Sequence, residues 1–517
     1  MAEDFKSKEE QAEGPEEETQ DLYYAAFYGF ERLEREHRAD GWFHGQASHY
    51  ARCKKDLIRQ RPRNCLANQI STCYFGAPIR TVSTLKDSAV IIHGPSGCAG
   101  GMYIELALFQ PKEELLTTGM REGDAILGGE AKLRRAIERA IERFRPGVIA
   151  VVGTCTPSII GDDIAGICEE MEARTGIPIL PFNAPGFKHR NWNMGWDESF
   201  NRIIDRMEPA SEVVPDSINF LNVPALALHF KEFYEILPDL RRIGVKINTH
   251  TPFSMTFQEL LERFPRAQLN VTRCHSTTLQ SAEYAEKRLG TPYLRLPKPV
   301  SLRYTEEFLM AIAAFFGRQQ EAATHLAVEK ERIRGRFERA RARLAGKRIS
   351  LCAGPGKTIA LAQLATELGM EVVFLSPVKC DSLFHELLDG WLERTGCDPE
   401  ILAEESYYEQ EAILSRLKPD VHVGILEEHL ISHRLGIPFV DMLAISYPQL
   451  CGFEGAVLFG EHLAALLDTP RVRRWAPAYQ WREIQTLYSS HRFLQSSPLA
   501  REGVGSDPPG NQGEMGP

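Results

Sequence analysis

The stretch Asp87-Ser88-Ala89-Val90-Ile91-Ile92-His93-Gly94-Pro95-Ser96-Gly97-Cys98-Ala99-Gly100-Gly101 passes from an unbroken apolar run into a glycine-rich turn that carries a cysteine. A short apolar run without polar alternation reads as a strand buried on both faces. The run repeats along the chain. Ala89–His93, Gly147–Gly153, Ile177–Pro181, Ile218–Val223, Val245–Asn248, Gln268–Thr272 and Pro292–Leu296 alternate with amphipathic stretches of helical length. After a long helical region at about 303–345 the runs resume as Arg348–Ala353, Glu371–Leu375, Val421–Ile425 and Ile437–Met442. Strands alternating with helices predict parallel sheets covered on both faces, an α/β fold. Eleven such strands are too many for one comfortable open sheet, so two or three Rossmann-like doubly wound units are expected. No sequence repeat of 20–50 residues is present, which argues against a solenoid.

Length and charge agree. The 517 residues correspond to about three domains. We divide them into an acidic disordered tail (1–20), an N-terminal α/β unit (21–215), a middle unit (216–345), a C-terminal unit (346–475) and a tail (476–517). The first 20 residues hold eight acids and two lysines, so they carry most of the net charge of −10. The C-terminal tail is rich in Gly, Pro and Ser from Ser496 onward. A sequence pI near 5.9 argues against a general nucleic-acid or anionic-membrane binder. No apolar run reaches the ~18 residues of a membrane span, and the amino terminus has no secretory signal, so a cytoplasmic protein is expected.

Ligands of open α/β sheets bind beyond the carboxyl ends of the strands. Three of the eleven cysteines fall there. Cys98 follows Ala89–His93, Cys155 follows Gly147–Gly153, and Cys274 follows Gln268–Thr272, each just before a helix. Free backbone N–H groups and the helix dipole favour a thiolate there, the form that ligates metal. Cys73 lies in a loop 25 residues before Cys98. A lone cysteine is most often a buried structural thiol. Three in equivalent places, among glycines, bring metal or cluster ligation level with that reading. The absence of CxxC and of zinc-ligand spacing favours iron–sulfur over zinc. The adjacent pair Cys274-His275 is a weaker, catalytic alternative.

Other motifs say less. Gly354-Pro355-Gly356-Lys357-Thr358 resembles the end of a P-loop, but Leu351 stands where the first glycine belongs. Lys357 remains a candidate for holding an anion. His429 and His433 stand four apart on an expected helix, as a metal pair or as a solvated face. The stretch His189-Arg190-Asn191-Trp192-Asn193-Met194-Gly195-Trp196 reads as an aromatic loop that lines a pocket or an interface.

Taken as a set, His93-Gly94-Pro95-Ser96-Gly97-Cys98, the step back to Cys73, and Cys155 followed by Ile160-Gly161-Asp162-Asp163 resemble the nitrogenase component 1 superfamily. The similarity runs over roughly 65–475. It implies that Cys73, Cys98 and Cys155 hold half of an eight-iron P-cluster shared with a homologous β-type subunit in an α2β2 heterotetramer. It also implies that an ATP-hydrolysing iron protein supplies electrons. Val271-Thr272-Arg273-Cys274-His275-Ser276 resembles the α-subunit segment whose cysteine ligates a large iron–sulfur cofactor, here enclosed by the three subdomains. The chain departs from nitrogenase where the second cofactor ligand belongs, at Met442-Leu443. It departs again at Gln449-Leu450-Cys451-Gly452-Phe453, at Trp196 in place of a histidine, and at Lys357 in place of an arginine. These departures argue against dinitrogen reduction and leave an all-iron cofactor open, with Cys451 or a histidine as second ligand. His189 and Trp196 would shape a pocket for a small-molecule substrate. Among members, the chain resembles the methylthio-alkane reductases, which cleave carbon–sulfur bonds reductively, and this is the first reading. A scaffold for nitrogenase cofactor assembly and an alternative nitrogenase are the other readings.

Overall fold

The computed structural model describes residues 38–39, 43–57, 74–109, 114–186, 194–221, 227–250, 254–272, 275–377, 380–403, 407–425, 428–442 and 450–469. The expected tails 1–20 and 476–517 lie outside these residues, as do Cys73, His189 and Cys274.

Two short strands come first, β1 (Arg38–Ala39) and β2 (Phe43–Gln46). The first sheet contains β3 (Ser88–His93), β4 (Leu115–Thr117), β5 (Val148–Gly153) and β6 (Ile179–Asn183), all parallel, in the order β4-β3-β5-β6. The second contains β7 (Val214–Leu221), β8 (Lys246–His250), β9 (Ala267–Thr272) and β10 (Tyr293–Arg295), parallel, in the order β10-β9-β7-β8. The third is built on β11 (Arg348–Ala353), β12 (Glu371–Pro377), β14 (Glu400–Ala403), β15 (Val421–Gly424) and β16 (Phe439–Asp441), in the order β16-β15-β11-β12-β14-β2. A separate ribbon pairs β1 with β13 (Cys380–Asp381).

The chain is therefore α/β with three mainly parallel sheets. All eleven expected strands exist, with ends moved by a few residues. One placement differs from the expectation. Phe43–Gln46, assigned to the unit 21–215, pairs antiparallel with β14 and closes the edge of the third sheet. The helix Ala47–Leu57 that follows continues this attachment: Ser48 bonds to Asp398 through both its N–H and its hydroxyl, at 2.8 Å each. Burying an edge removes a row of unpaired backbone groups, which explains why a distant segment is recruited to it.

Alternate side chains of one strand enter different cores, as the period of two requires. Ala89, Ile91, Ile149 and Val151 pack under the helices Glu130–Phe144 and Ile164–Thr175. Val90, Ile92, Val148, Ala150 and Val152 face the other way, into a core shared with Phe257, Phe264 and Ala282 of the middle segment. Ile218, Phe220, Leu269 and Val271 of the second sheet join a core with Ile349 and Leu351 of the third. The first and second sheets thus share one core, and the second and third share another. The second sheet also carries a buried polar ladder: Asn219 donates to the Asn270 side chain at 2.9 Å, and its carbonyl accepts from Asn248 and Thr249 at 2.9 and 2.8 Å. Among the described residues no helix is long and apolar enough to cross a membrane.

Candidate metal centre

Strand β3 ends at His93, and Gly94 then passes very close to the neighbouring strand end. A Cβ on Gly94 would lie 2.0 Å from the Thr154 hydroxyl oxygen, so only glycine fits. The helix Ser96–Phe109 begins two residues later and places Cys98 in its first turn. Strand β5 ends at Gly153. Thr154 donates its N–H to the His93 carbonyl at 3.0 Å, which locks the two strand ends together. Cys155 is the first residue of the helix Cys155–Ile160. The helical stretch after Cys155 is two helices, broken at Gly161 with φ +78 and restarted by Asp163, which caps the Gly166 N–H at 2.9 Å.

These loops bring Cys98 and Cys155 together, both half-buried. Burial pushes the Cys98 thiol up, and a charged Cys155 beside it pushes in the same direction, against a hydrogen bond from Thr154. A cation beside Cys98 would offset what burial costs its thiolate. Gly186 donates its N–H to the Cys155 sulfur at 3.2 Å. The chemistry of this donor pair fits iron–sulfur ligation. Among the described residues no group of three or more His, Cys, Asp and Glu side chains is gathered to hold a metal ion, and Cys73 lies outside them.

Behind the pair is an interaction the motifs do not announce. His93 Nε2 meets Asp162 Oδ2 at 2.9 Å, its Nδ1 meets the Thr118 hydroxyl at 3.1 Å, and Asp162 also accepts the Gly129 N–H at 3.0 Å. Burial lowers the His93 pKa by more than Asp162 raises it, which favours the neutral imidazole. The two ends of the sequence signature are thus one hydrogen-bonded unit that fixes the loops bearing Cys98 and Cys155.

The surface beside these cysteines is apolar and open. Ile126 and Leu127 on the helix Glu122–Leu127 are 81% and 87% exposed, and Ile159 is 72% exposed. A Cβ on Gly97, Gly100 or Gly101 would meet nothing within 4 Å. Large exposed side chains clustered on a rigid scaffold mark a docking surface.

A second cluster of candidates sits elsewhere. Trp196 is 2% exposed and lies on the helix Met194–Ile204, not on the loop that was expected. The Arg80 guanidinium lies 5.9 Å from its ring centroid, and burial pushes Arg80 down to about 9. The next residue, Asp197, accepts the Ser281 N–H and hydroxyl, both at 2.7 Å. Ser281 belongs to the helix His275–Leu289, which begins directly after Cys274.

Lys357 is buried at 6% exposure in the first turn of the helix Pro355–Glu367. Lys298, which the sequence reading passed over, is 5% exposed, and its Cε lies 3.6 Å from where a Cβ on Gly356 would be. Its neighbour Pro299 accepts the Gly452 N–H at 2.7 Å. Gly452 has φ +75, and Leu450 and Cys451 donate their N–H groups to Glu235 at 3.0 and 2.7 Å. Cys451, buried, stands at the N-cap position of the helix Gly452–Asp468 without a capping bond from its side chain. The loop of Lys357 and the turn of Cys451 therefore meet across Lys298-Pro299.

Comparison with known proteins adds the following. Residues 72–468 match the family model of nitrogenase component 1 type oxidoreductases. The nitrogenase iron-molybdenum cofactor biosynthesis protein NifE of Clostridium pasteurianum is 27% identical over 412 residues, covering 78% of this chain and 88% of that protein. NifE of Nostoc sp. is 28% identical over 458 residues, covering 84% and 91%. The nitrogenase molybdenum-iron protein alpha chain of Methanococcus maripaludis is 27% identical over 430 residues, covering 77% and 86%. Among solved structures, nitrogenase Cp1 at pH 5 superposes with a TM-score of 0.68 at 22% identity, covering 79% of this chain and 90% of that one.

Proposed function

The chain belongs to the nitrogenase component 1 type oxidoreductase family, and from that premise we propose that it is the cofactor-carrying α-type subunit of a nitrogenase-like reductase. The observation that carries this reading is the joining of Cys98 and Cys155 at two strand ends beside an exposed apolar surface. Cys73, Cys98 and Cys155 would hold half of a P-cluster, and a β-type subunit would supply the rest, because three thiolates cannot complete an eight-iron cluster. Ile126, Leu127 and Ile159 would receive the ATP-hydrolysing iron protein. Cys274 would anchor the second, larger cluster, with Cys451 as a candidate second ligand.

When bound, these clusters supply low-potential electrons and the metal site at which the substrate is reduced. The chain's own residues do the rest. Thr154 and the pair His93–Asp162 hold the cysteine loops in place. Asp197 fixes the helix that follows Cys274. Lys298 and Lys357 favour an anionic group at their loop, and His189 and Trp196 would bound the substrate pocket.

The substrate class we favour is methylthio-alkanes, on the strength of the departures from nitrogenase at Leu443, Trp196 and Lys357. Reduction of dimethyl sulfide to methane and methanethiol takes two electrons and two protons. The identity to NifE proteins supports a second reading, a subunit that carries a cofactor in assembly without turning it over. The complex, given its reductase, ATP and dimethyl sulfide, is expected to release methane and methanethiol, and Cys274→Ala to abolish this while sparing the interface-cluster signal. Full cluster iron with no methane would favour the carrier; unchanged methane release by Cys274→Ala would refute the catalytic site.

A further inference from the structure

The helix Glu428–Leu435 packs on the third sheet, and the reading above makes no use of it. Its inner face is fixed. Glu428 is fully buried, and its carboxylate accepts the Ile425 N–H at 2.6 Å and the Gln410 amide at 3.0 Å. Ile431 and Ser432 are buried beside it, and Arg434 is paired with Glu411 on the helix Tyr407–Leu417. The outer face presents His429, Leu430 and His433, all exposed.

Residues four apart on a helix share one face, one turn apart. The imidazole centroids of His429 and His433 are 6.3 Å apart, with 32° between the ring planes. The His429 ring also lies 5.4 Å from the Phe439 ring on β16, which limits its swing away from His433. With metal–nitrogen bonds of ~2.1 Å, two imidazoles on one tetrahedral ion have centroids roughly 5 Å apart. The observed spacing is about one ångström wider than that. Small rotations of two exposed side chains close the gap without moving the backbone.

We propose that His429 and His433 form a two-imidazole site for a borderline divalent cation of the Zn2+, Ni2+ or Cu2+ class, separate from any cluster site. Imidazole nitrogens select such ions over Mg2+ and Ca2+, which take oxygen ligands. Two protein donors leave the other positions to water, so the ion exchanges with solvent. It bridges one turn of a helix that runs directly into Gly436-Ile437-Pro438-Phe439. Binding favours the folded helix and raises the thermal stability of the protein.

The test is calorimetric titration of Ni2+ into the intact complex, beside the variants H429Q, H433Q and the double variant. Both side chains are exposed, and circular dichroism of each variant checks that the fold is kept. Binding to thiols is common to all four proteins and subtracts out. The wild type should show one site that the double variant lacks. Each single variant should bind roughly tenfold more weakly or worse, since losing a ligand costs at least as much as losing its outer-shell support. With Cu2+, the electron spin resonance of the wild type should show coupling to two nitrogens that the double variant loses. Equal Ni2+ binding by wild type and double variant, or loss in only one single variant, would overturn the site.

Discussion

His422 offers a sharp quantitative test of how the third sheet is held together. Its ring is fully buried on β15; Nδ1 bonds to the Ser350 hydroxyl at 2.8 Å, and burial lowers its pKa from 6.5 to about 3. A depressed histidine is neutral in the fold and takes up a proton only in the unfolded chain. The stabilisation is therefore complete above pH 6.5 and is lost as the pH falls toward 3. At ~1.4 kcal/mol per unit, the whole shift corresponds to about 5 kcal/mol, of which about 2 kcal/mol is gone at pH 5. The perturbation is His422→Gln, which cannot titrate. The assay is guanidinium unfolding at pH 7.5, 6 and 5, followed by fluorescence of Trp391, which is fully buried in the same unit. The variant should be weaker than wild type at pH 7.5, and the gap should narrow by about 2 kcal/mol at pH 5. Parallel curves for the two proteins would refute the assignment of acid sensitivity to this ring.

Other predictions follow from contacts already described. Gly94→Ala should cost about 1–3 kcal/mol through the clash with Thr154, and Thr154→Ala in the same chain should return part of it, as a double-mutant cycle in thermal melts would show. Asp197→Ala strands the buried Ser281 N–H, so a loss of about 1–3 kcal/mol is expected, with faster amide exchange in the helix His275–Leu289. Replacing Ile126 and Leu127 by Asp should leave the protein's stability and iron content unchanged while suppressing reductase-dependent electron transfer. Intact transfer would show that this patch docks nothing.

The parts of the fold that were legible are those written locally. β3, β5 and β11 are runs of apolar residues flanked by turns, and no distant partner is needed to recognise them. Phe43–Gln46, Leu115–Thr117 and Glu400–Ala403 are short and irregular in pattern, and the first becomes a strand only because a sheet edge far along the chain accepts it. The break at Gly161 was hidden because helical periodicity continues across it. The site divides in the same way. Cys98 and Cys155 stand out because each follows a strand. The bond between His93 and Asp162 joins residues 69 apart, and the hold of Glu235 on Cys451 spans 216. Lys298 lies on a connection with no motif around it, and only tertiary packing shows that it is buried beside Gly356. Trp196 read as a loop residue because its glycine neighbour suggests a turn; Gly195 instead allows a helix to approach Ala77, where a Cβ would come within 2.7 Å.

The edge formed by β2 and β14 has a further consequence in time. His44 and Glu400 are in contact although they stand 356 positions apart in sequence, so the third sheet cannot be finished until most of the chain has left the ribosome. During synthesis the first residues must wait while the first and second sheets assemble, and β14, once made, is an open edge until they return. Pairings of such separation form late and slowly. A chain truncated before residue 47 would keep every strand of the three parallel arrays and yet expose that edge to other copies, so aggregation during expression, before any loss of iron, is the defect to expect.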